Sequence, residues 1–463
     1  MLQCTYNLRT LAWLFPLLLS WGCNGAQKEL PVQSAGDFGR IRTGTTASFA
    51  DSLAALPAEE RVAAASQFIS RHPVTPVIES DSIFSLYWFG NAARVLVSGD
   101  LQSGWSVPDT MAETDCGENR FFHISYKVPP DARLDYRLRV DSTEMTDPRN
   151  PVVTPSGYGP HSQVAMPGFT PNPIRMDRRK TAKGSFHWIP FISSNQKVAS
   201  RNLKVYLPAG YENLTRLPVI FILDGLEALD YMNYNTVLDN LVADGRIVPV
   251  IAVFIPPGNR MTENLGEESV HFVHVICDEL VPVIDRAFKT DPQPASRAIS
   301  GISSGGHLAL LTVLTRPDVF LNGAGQSPTL SETLFEALGE FPGKFESILQ
   351  PENRKTAGGA DPGQNTGHRE RAPGSMTAGK ETAEIPKFTT RIYFDVGRFD
   401  LPQGTAGDQS FLEAATLLHQ ELDQKGIGHL FRIVNDGHEW ASWRERTDQV
   451  LVCFFEHPNI NNL

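Results

Sequence analysis

The sequence predicts an α/β protein whose mainly parallel sheet is covered on both faces and is preceded by a small all-β sandwich. Three observations carry that reading. Between about residue 84 and residue 140 short alternating runs follow one another at close intervals, Phe84 to Phe89, Ala93 to Ser98, Phe121 to Val128 and Leu134 to Val140, with no long helical pattern between them. Beyond residue 184 strand and helix patterns alternate instead, which is the signature of crossover connections in a parallel sheet. Within that second part the run Ala298-Ile299-Ser300-Gly301-Ile302-Ser303-Ser304-Gly305-Gly306-His307 joins a buried strand to a helix through a glycine-flanked serine.

The chain has 463 residues, 41% of them hydrophobic, which is enough for two domains with cores of their own. Its formal net charge of −11, with no basic run, excludes the electrostatic footprint of a nucleic-acid binder. At the N-terminus Arg9 precedes an apolar run from Leu11 to Leu19 and then Ser20-Trp21-Gly22-Cys23, the order of a secretory signal whose core is too short to span as a mature helix. The small residue before Cys23 resembles a bacterial lipoprotein processing site with Cys23 as the lipidated residue, and plain signal cleavage nearby is the rival reading. Either way the chain is expected to be exported, as a periplasmic or outer-membrane lipoprotein in the first case.

Residues 1–22 are thus read as a signal peptide and residues 23–65 as a linker, because Asn24 to Ala55 contains few large apolar side chains. The all-β domain is placed at 66–170. In the second domain, 184–350 and 386–457, the strand candidates are Lys204 to Leu207, Val219 to Leu223, Val248 to Ile255, Arg297 to Ser300, Arg391 to Phe394 and Leu430 to Val434. Amphipathic helices are read at about Ser269 to Phe288 and Gln409 to Lys425, and Leu308, Leu311 and Leu314 carry a helix on from the serine turn until Pro317. The stretch 351–385, rich in Gly, Pro, Thr, Lys and Glu, cannot build a core and is read as an insertion, disordered or acting as a lid.

Cys116, Cys277 and Cys453 remain after Cys4 and Cys23 are assigned, too few for a disulfide framework, and Cys277 falls on the apolar face of its helix. No C-x-x-C or H-E-x-x-H pattern supports a metal.

Register selects Ser303 as a nucleophile, since Gly301 and Gly305 stand two residues to either side, whereas Ser304 would need a glycine where Ile302 stands. A serine hydroxyl needs a histidine to take its proton and a carboxylate to orient that histidine. His438 follows the last strand in Asn435-Asp436-Gly437-His438-Glu439-Trp440, whereas His307 and His429 sit within a helix and at a strand start. Two acids follow the Arg391 to Phe394 strand. Asp400 lies beyond a glycine turn and is preferred, Asp395 is closer to the strand, and Asp408 fits a helix N-cap. The backbone amides of Ser304 and of Leu226, the latter after the Asp224-Gly225 turn, are the candidate oxyanion donors. No cofactor is implied by such a set.

At these residues the second domain resembles the enterochelin esterase branch of the esterase D-type α/β-hydrolases. The matching motifs are Arg201-Asn202-Leu203-Lys204-Val205-Tyr206-Leu207-Pro208 with Gly210-Tyr211, Asp224-Gly225, Arg260 with Glu263 and Leu265, the Ser303 turn, Gln326-Ser327-Pro328, and Gly437-His438-Glu439-Trp440 with Trp443-Arg444. The all-β part resembles the immunoglobulin-like N-terminal domain of the same enzymes through Val97-Ser98-Gly99-Asp100 with Gly104-Trp105, Asp135-Tyr136-Arg137-Leu138 and Asp147-Pro148-Arg149-Asn150-Pro151. Trp88 and Trp105 are read as core residues rather than a sugar-stacking surface. The resemblance implies a serine esterase with the triad Ser303, Asp400 and His438, and a substrate-binding region around Arg260, Trp440, Trp443 and Arg444. A catecholate siderophore ester would need cations in the cleft, which Arg260, Arg398 and Arg444 offer. Feruloyl or acetyl esters of plant polysaccharides are the alternative substrates, and a glycan-binding surface protein without turnover is the reading from another class. Nucleic acid is not an expected partner.

Overall fold

The computed structural model describes residues 38–102, 104–266, 268–349 and 390–458. The expected signal peptide, Cys23 and the insertion 351–385 lie outside them. Among the described residues no helix is long and apolar enough to cross a membrane.

The N-terminal part is two antiparallel sheets face to face. One holds Gly39–Ile41, Val77–Ser80, Ile83–Gly90, Ala112–Cys116 and Asn119–Lys127, and the other is built on Val95–Gly99, Arg133–Val140 and His161–Ala165. Strand side chains alternate in direction. Leu86, Phe122 and Ile124 therefore point between the sheets to meet Val95, Val97, Leu134, Leu138 and Val164. Tyr87 and Phe121 point the other way and need a second cover.

That cover corrects the linker reading of 23–65. From residue 38 onward the chain is structured: strand Gly39–Ile41 pairs with Asn119–Lys127, and helices Thr45–Ala55 and Ala58–Arg71 pack on the sheet's outer face. Ala50, Leu53, Ala65 and Phe68 bury against Tyr87, Phe121 and Cys116, and the Phe49 and Phe68 rings stack 4.2 Å apart. Few large apolar residues suggest a linker, but alanine is the strongest helix former, and a few large side chains suffice where a sheet offers an apolar face. Trp88 packs partly buried against the sandwich core. Trp105 donates from Nε1 to Asp100 at 3.1 Å and lies on the His161 ring, centroids 4.3 Å apart.

The second part is an eight-stranded sheet in the order Ser185–Phe191, Arg201–Leu207, Ile251–Ile255, Val219–Leu223, Arg297–Ile302, Asn322–Gln326, Arg391–Phe399 and His429–Gly437. The first two strands join antiparallel and the rest run parallel. Two of the eight escaped the sequence pattern. Asn322–Gln326 reads NGAGQ and has no apolar alternation, because helix Ser303–Thr315 lies so close over it that a Cβ at Gly323 would come within 2.6 Å of Val313. Ser185–Phe191 is an edge strand, largely exposed.

Helices cover both faces. Those at 269–287, Ser303–Thr315, Glu332–Leu349 and Phe411–Gln424 bury one face of the sheet, and Gly225–Met232, Tyr234–Ala243 and Thr447–Phe455 the other. Cys277 and Cys116 are buried core residues that form no disulfide. The chain leaves Val219–Leu223 toward one side of the sheet and Arg297–Ile302 toward the other. Their carboxyl ends therefore flank a crevice, where ligands of open α/β sheets bind.

Candidate active site

Ser303 sits at that crevice, first residue of its helix, with φ at 51°. A non-glycine residue in the left-handed region is strained and persists only where its surroundings hold it. Gly301 permits it: a Cβ there would lie 2.3 Å from the carbonyl carbon of Gly305. The turn aims the serine hydroxyl at His438, whose Nε2 lies 2.9 Å from Ser303 Oγ, while Nδ1 lies 2.5 Å from Asp400 Oδ1. Burial pushes the Asp400 carboxyl up, but the charge and hydrogen bond of His438, a hydrogen bond from Ser327 and the Leu401 amide outweigh it and hold it below its usual range. An ionised Asp400 only accepts, so Nδ1 carries the proton and Nε2 turns its lone pair to the serine hydroxyl.

The imidazole is wedged edge-on between Phe411 and Trp443, each 4.9 Å away centroid to centroid. Trp443 in turn donates from Nε1 to Ser327 Oγ at 3.0 Å. Ser327, φ 44°, is the supporting residue that sequence reasoning missed: Gln326-Ser327-Pro328 was recognised only as a motif. Asp395 serves elsewhere. It is buried and holds Arg446 through two hydrogen bonds at 3.1 and 3.2 Å, with the Tyr393 hydroxyl at 2.8 Å.

Leu226 and Ser304 each stand second in their helices, Gly225–Met232 and Ser303–Thr315. First-turn amides have no acceptor within their helix and carry the positive end of its dipole. The two helix starts abut, since a Cβ at Gly305 would lie 3.0 Å from Asp224 Oδ2, and Gly225 has no room for one, 2.5 Å from the Ile255 nitrogen. The two helix starts that carry these amides therefore lie side by side at the crevice.

Arg260 is where the sequence expectation of a free cation fails. Its Nε and Nη2 each donate to Asp224 at 2.8 Å, a bidentate pair that fixes the turn before Leu226. Its motif partners are equally committed: Glu263 pairs with Arg201 at 2.6 Å, and Asn264 donates to Ser304 Oγ at 3.3 Å and accepts from His307 at 2.7 Å. Burial drives His307 down to about 4, so it stays neutral between Asn264 and Ser331. Arg444 is also enclosed, its side chain only 11% exposed with Nε 3.8 Å from Glu445, and does not stand open in the cleft. The two departures differ in cause: Arg260 is drawn to the buried carboxylate of Asp224, whereas Arg444 is enclosed beside a Glu445 that Arg175 already holds at 2.7 Å. Trp440 is buried against Tyr231 and Trp443, ring centroids at 5.3 and 5.5 Å.

The all-β part reaches this site, a contribution that sequence patterns did not reveal. Ser156 donates to Glu439 Oε2 at 3.0 Å, and Gly157 lies over Trp440 and Tyr231. Tyr158, next in the chain, is 82% exposed.

The Esterase family model, "Putative esterase", matches residues 194–452. An endo-1,4-beta-xylanase/feruloyl esterase of Xylanibacter ruminicola is 31% identical over 160 residues, covering 31% of this chain and 21% of that protein. The uncharacterized protein YjcH of Bacillus subtilis is 28% identical over 141 residues, 29% of this chain and 59% of that one. The chain thus spans between 21% and 59% of the length of these curated relatives. Among solved structures, the ferric enterobactin esterase of Salmonella typhimurium superimposes with a TM-score of 0.59 at 17% identity, covering 82% of this chain and 95% of that one. The enterobactin esterase of Shigella flexneri, solved in the presence of enterobactin, gives 0.58 at 17% identity over 81% and 93%. At such identity the likeness concerns the fold.

Proposed function

The chain belongs to the Esterase family, and from that premise we propose that it is a serine esterase that cleaves carboxylic esters through an acyl-enzyme. The observation that carries the proposal is the Ser303–His438–Asp400 chain of hydrogen bonds at 2.9 and 2.5 Å, starting from a strained turn at a helix N-terminus. Ser303 Oγ attacks the ester carbonyl carbon as His438 Nε2 takes its proton. The amides of Leu226 and Ser304 receive the developing oxyanion. His438 then returns the proton to the departing alkoxide, and a water activated by the same nitrogen hydrolyses the acyl-enzyme.

For the substrate we favour a neutral ester of an aromatic acid, of the feruloyl kind. Of the three cations a polyanionic catecholate would need, Arg260 is held by Asp224, Arg444 is enclosed beside Glu445 and Arg398 donates to Asn435 at 2.8 Å, while exposed Tyr158 and half-buried Tyr231 offer aromatic surface. The similarity to a xylanase/feruloyl esterase supports the same choice. Labelling with a serine-directed phosphonate should modify Ser303 and be abolished in Ser303→Ala. Label on Ser304, or an active Ser303→Ala enzyme, would overturn the assignment. A side-by-side turnover panel of feruloyl-oligosaccharide, acetyl-xylan and ferric-catecholate esters tests the substrate, and a clear preference for the catecholate would replace the feruloyl reading with the siderophore one.

We propose in addition that the protein is exported and anchored through lipidated Cys23. Palmitate labelling that disappears in Cys23→Ala is the expected result, and cleavage elsewhere in the leader would refute it.

A further inference from the structure

We propose that His419, Asp423 and His429 form a site for a late first-row divalent cation such as Zn²⁺, which clips helix Phe411–Gln424 to the neighbouring strand His429–Gly437. One nitrogen from each imidazole and one carboxylate oxygen lie within 4.8 Å of one another. His419 Nδ1 is 2.7 Å from His429 Nε2, and the Asp423 oxygens stand 3.6 Å from His419 Nε2 and 3.8 Å from His429 Nε2. His419 and Asp423 are one turn apart on the helix, and His429 opens the strand after a tight turn, so helix geometry and the register of the sheet fix all three backbones.

The orientation of His429 points to a ligand independently of that proximity. Its Nδ1 meets the Ile427 carbonyl oxygen at 2.8 Å. A carbonyl only accepts, so Nδ1 carries the hydrogen and Nε2 presents a lone pair toward His419 and Asp423. This second hydrogen bond to a backbone carbonyl is the usual way a metal-binding imidazole is fixed. The His429 side chain is 5% exposed and stacks on Phe394, and the His419 ring lies 5.0 Å from Phe431, so neither ring turns freely.

In the metal-free protein a proton on His419 Nδ1 bridges the two imidazoles. A divalent cation replaces it. Bonds of about 2.0–2.1 Å from two nitrogens in tetrahedral geometry require the pair to open by only about half an ångström. The displaced proton moves to His419 Nε2, the side on which Asp423 Oδ2 lies, or leaves to solvent. Two neutral imidazoles and one carboxylate suit a borderline cation, and the exposed side of His419 and Asp423 leaves room for water to complete the coordination. The sequence hid the site because its spacing, three residues between the first two ligands and five before the third, matches no metal motif and depends on the strand's return beside the helix.

The helix and strand so joined are the two elements whose far ends hold the catalytic histidine. Phe411 begins the helix and packs on His438, and the strand ends at Gly437. The cation would act through that shared scaffold, roughly 30 Å from Ser303 along a nine-residue strand.

The test uses the full chain stripped with a chelator. Titration of Zn²⁺ against a chromophoric chelator should show one equivalent bound with a dissociation constant below about 100 µM, falling with rising acidity, and Co²⁺ should give visible bands of imidazole coordination. Zn²⁺ should raise the melting temperature. Both signals should vanish in His429→Gln, and in His419→Gln, a half-exposed position that leaves the fold intact if the first variant does not fold. Asp423→Asn should weaken binding about tenfold or more. His274→Gln, at a surface His–Asp pair elsewhere, should change nothing. Absence of stoichiometric binding, or binding that survives both His429→Gln and His419→Gln, would overturn the proposal.

Discussion

Arg133, on a strand of the all-β part, donates from Nη1 to Asp436 at 3.2 Å, two residues before His438 and 303 positions away in sequence. The guanidinium also grips Asp135 at 2.8 and 2.9 Å, and Asp436 lies 3.8 Å from Arg446, which holds Asp395. Burial pushes Asp436 up to about 6 while Arg133 and Arg446 pull it back toward the ionised form. Gly437 is pressed against Asp100, where a Cβ would fall 2.0 Å from the carboxyl carbon. The backbone on the N-terminal side of His438 is therefore set by side chains of the other sheet pair. Arg133→Ala leaves buried carboxylates without their cation and should cost about 3–5 kcal/mol in urea unfolding. In protein still folded, kcat should fall more than KM rises, because the histidine is misplaced rather than the substrate lost. A stability loss with unchanged kcat would show that the clamp only holds the parts together.

Asp400 and Asp395 should separate cleanly on substitution. Asp400→Asn removes the acceptor that fixes the His438 tautomer, and kcat should fall by about 10⁴ with the fold preserved. Asp395→Asn weakens the partner of buried Arg446 and should lower the unfolding free energy while leaving kcat of the folded enzyme within a few fold of its original value. Circular dichroism melts alongside aryl-ester turnover measure both. The opposite ranking would move the acid to Asp395.

The parts of this site legible in the sequence are those set by local backbone demands. Gly301 and Gly305 flank Ser303 because the turn leaves no space for side chains, whereas Gly397, expected as a turn, lies within strand Arg391–Phe399 and lets it run close to the next strand, where a Cβ would fall 2.3 Å from the Asp436 carbonyl oxygen. What stayed hidden depends on long-range pairing. Strand Asn322–Gln326 carries almost no side-chain pattern, since its small residues exist to let a helix approach. The Arg260–Asp224 and Arg133–Asp436 pairs join charged residues that, taken singly, read as solvated. Helices Thr45–Ala55 and Ala58–Arg71 gain most of their stability from a sheet face that only the folded chain presents.

Arg260→Gln is now expected to affect every substrate alike. The bidentate pair with Asp224 fixes the turn before Leu226, so its loss leaves a nearly buried carboxylate without a cation and loosens the proposed oxyanion donor. Turnover of a neutral aryl ester and of an anionic catecholate ester should both fall, by about tenfold or more, less than the roughly 10²- to 10³-fold cost of removing such a donor outright. A selective loss on the anionic ester would instead restore Arg260 as a substrate contact and revive the siderophore reading.

Glu439, beside His438, should make the fold less stable as pH rises. Its carboxyl is 7% exposed, and burial, reinforced by the Asp135 charge, pushes it from an ordinary 4.5 up to about 7, against the pull of the Ser156 hydrogen bond and the charges of His438 and Arg133. His161 Nδ1 stands 3.8 Å away and Asp100 on the same side, so no full cation is paired with it at contact distance. A group whose folded value lies above its unfolded one contributes fully below the unfolded value and loses that contribution as pH climbs through the folded one. Here the window runs from about pH 4.5 to about pH 7. Glu439→Gln imitates the neutral form and still accepts from Ser156. It should match the parent protein near pH 4.5 and exceed it by roughly 3 kcal/mol at pH 8 in urea unfolding. A difference that does not grow between those two pH values would mean that Glu439 is already ionised in the folded protein, held by the charges of His438 and Arg133 against its burial.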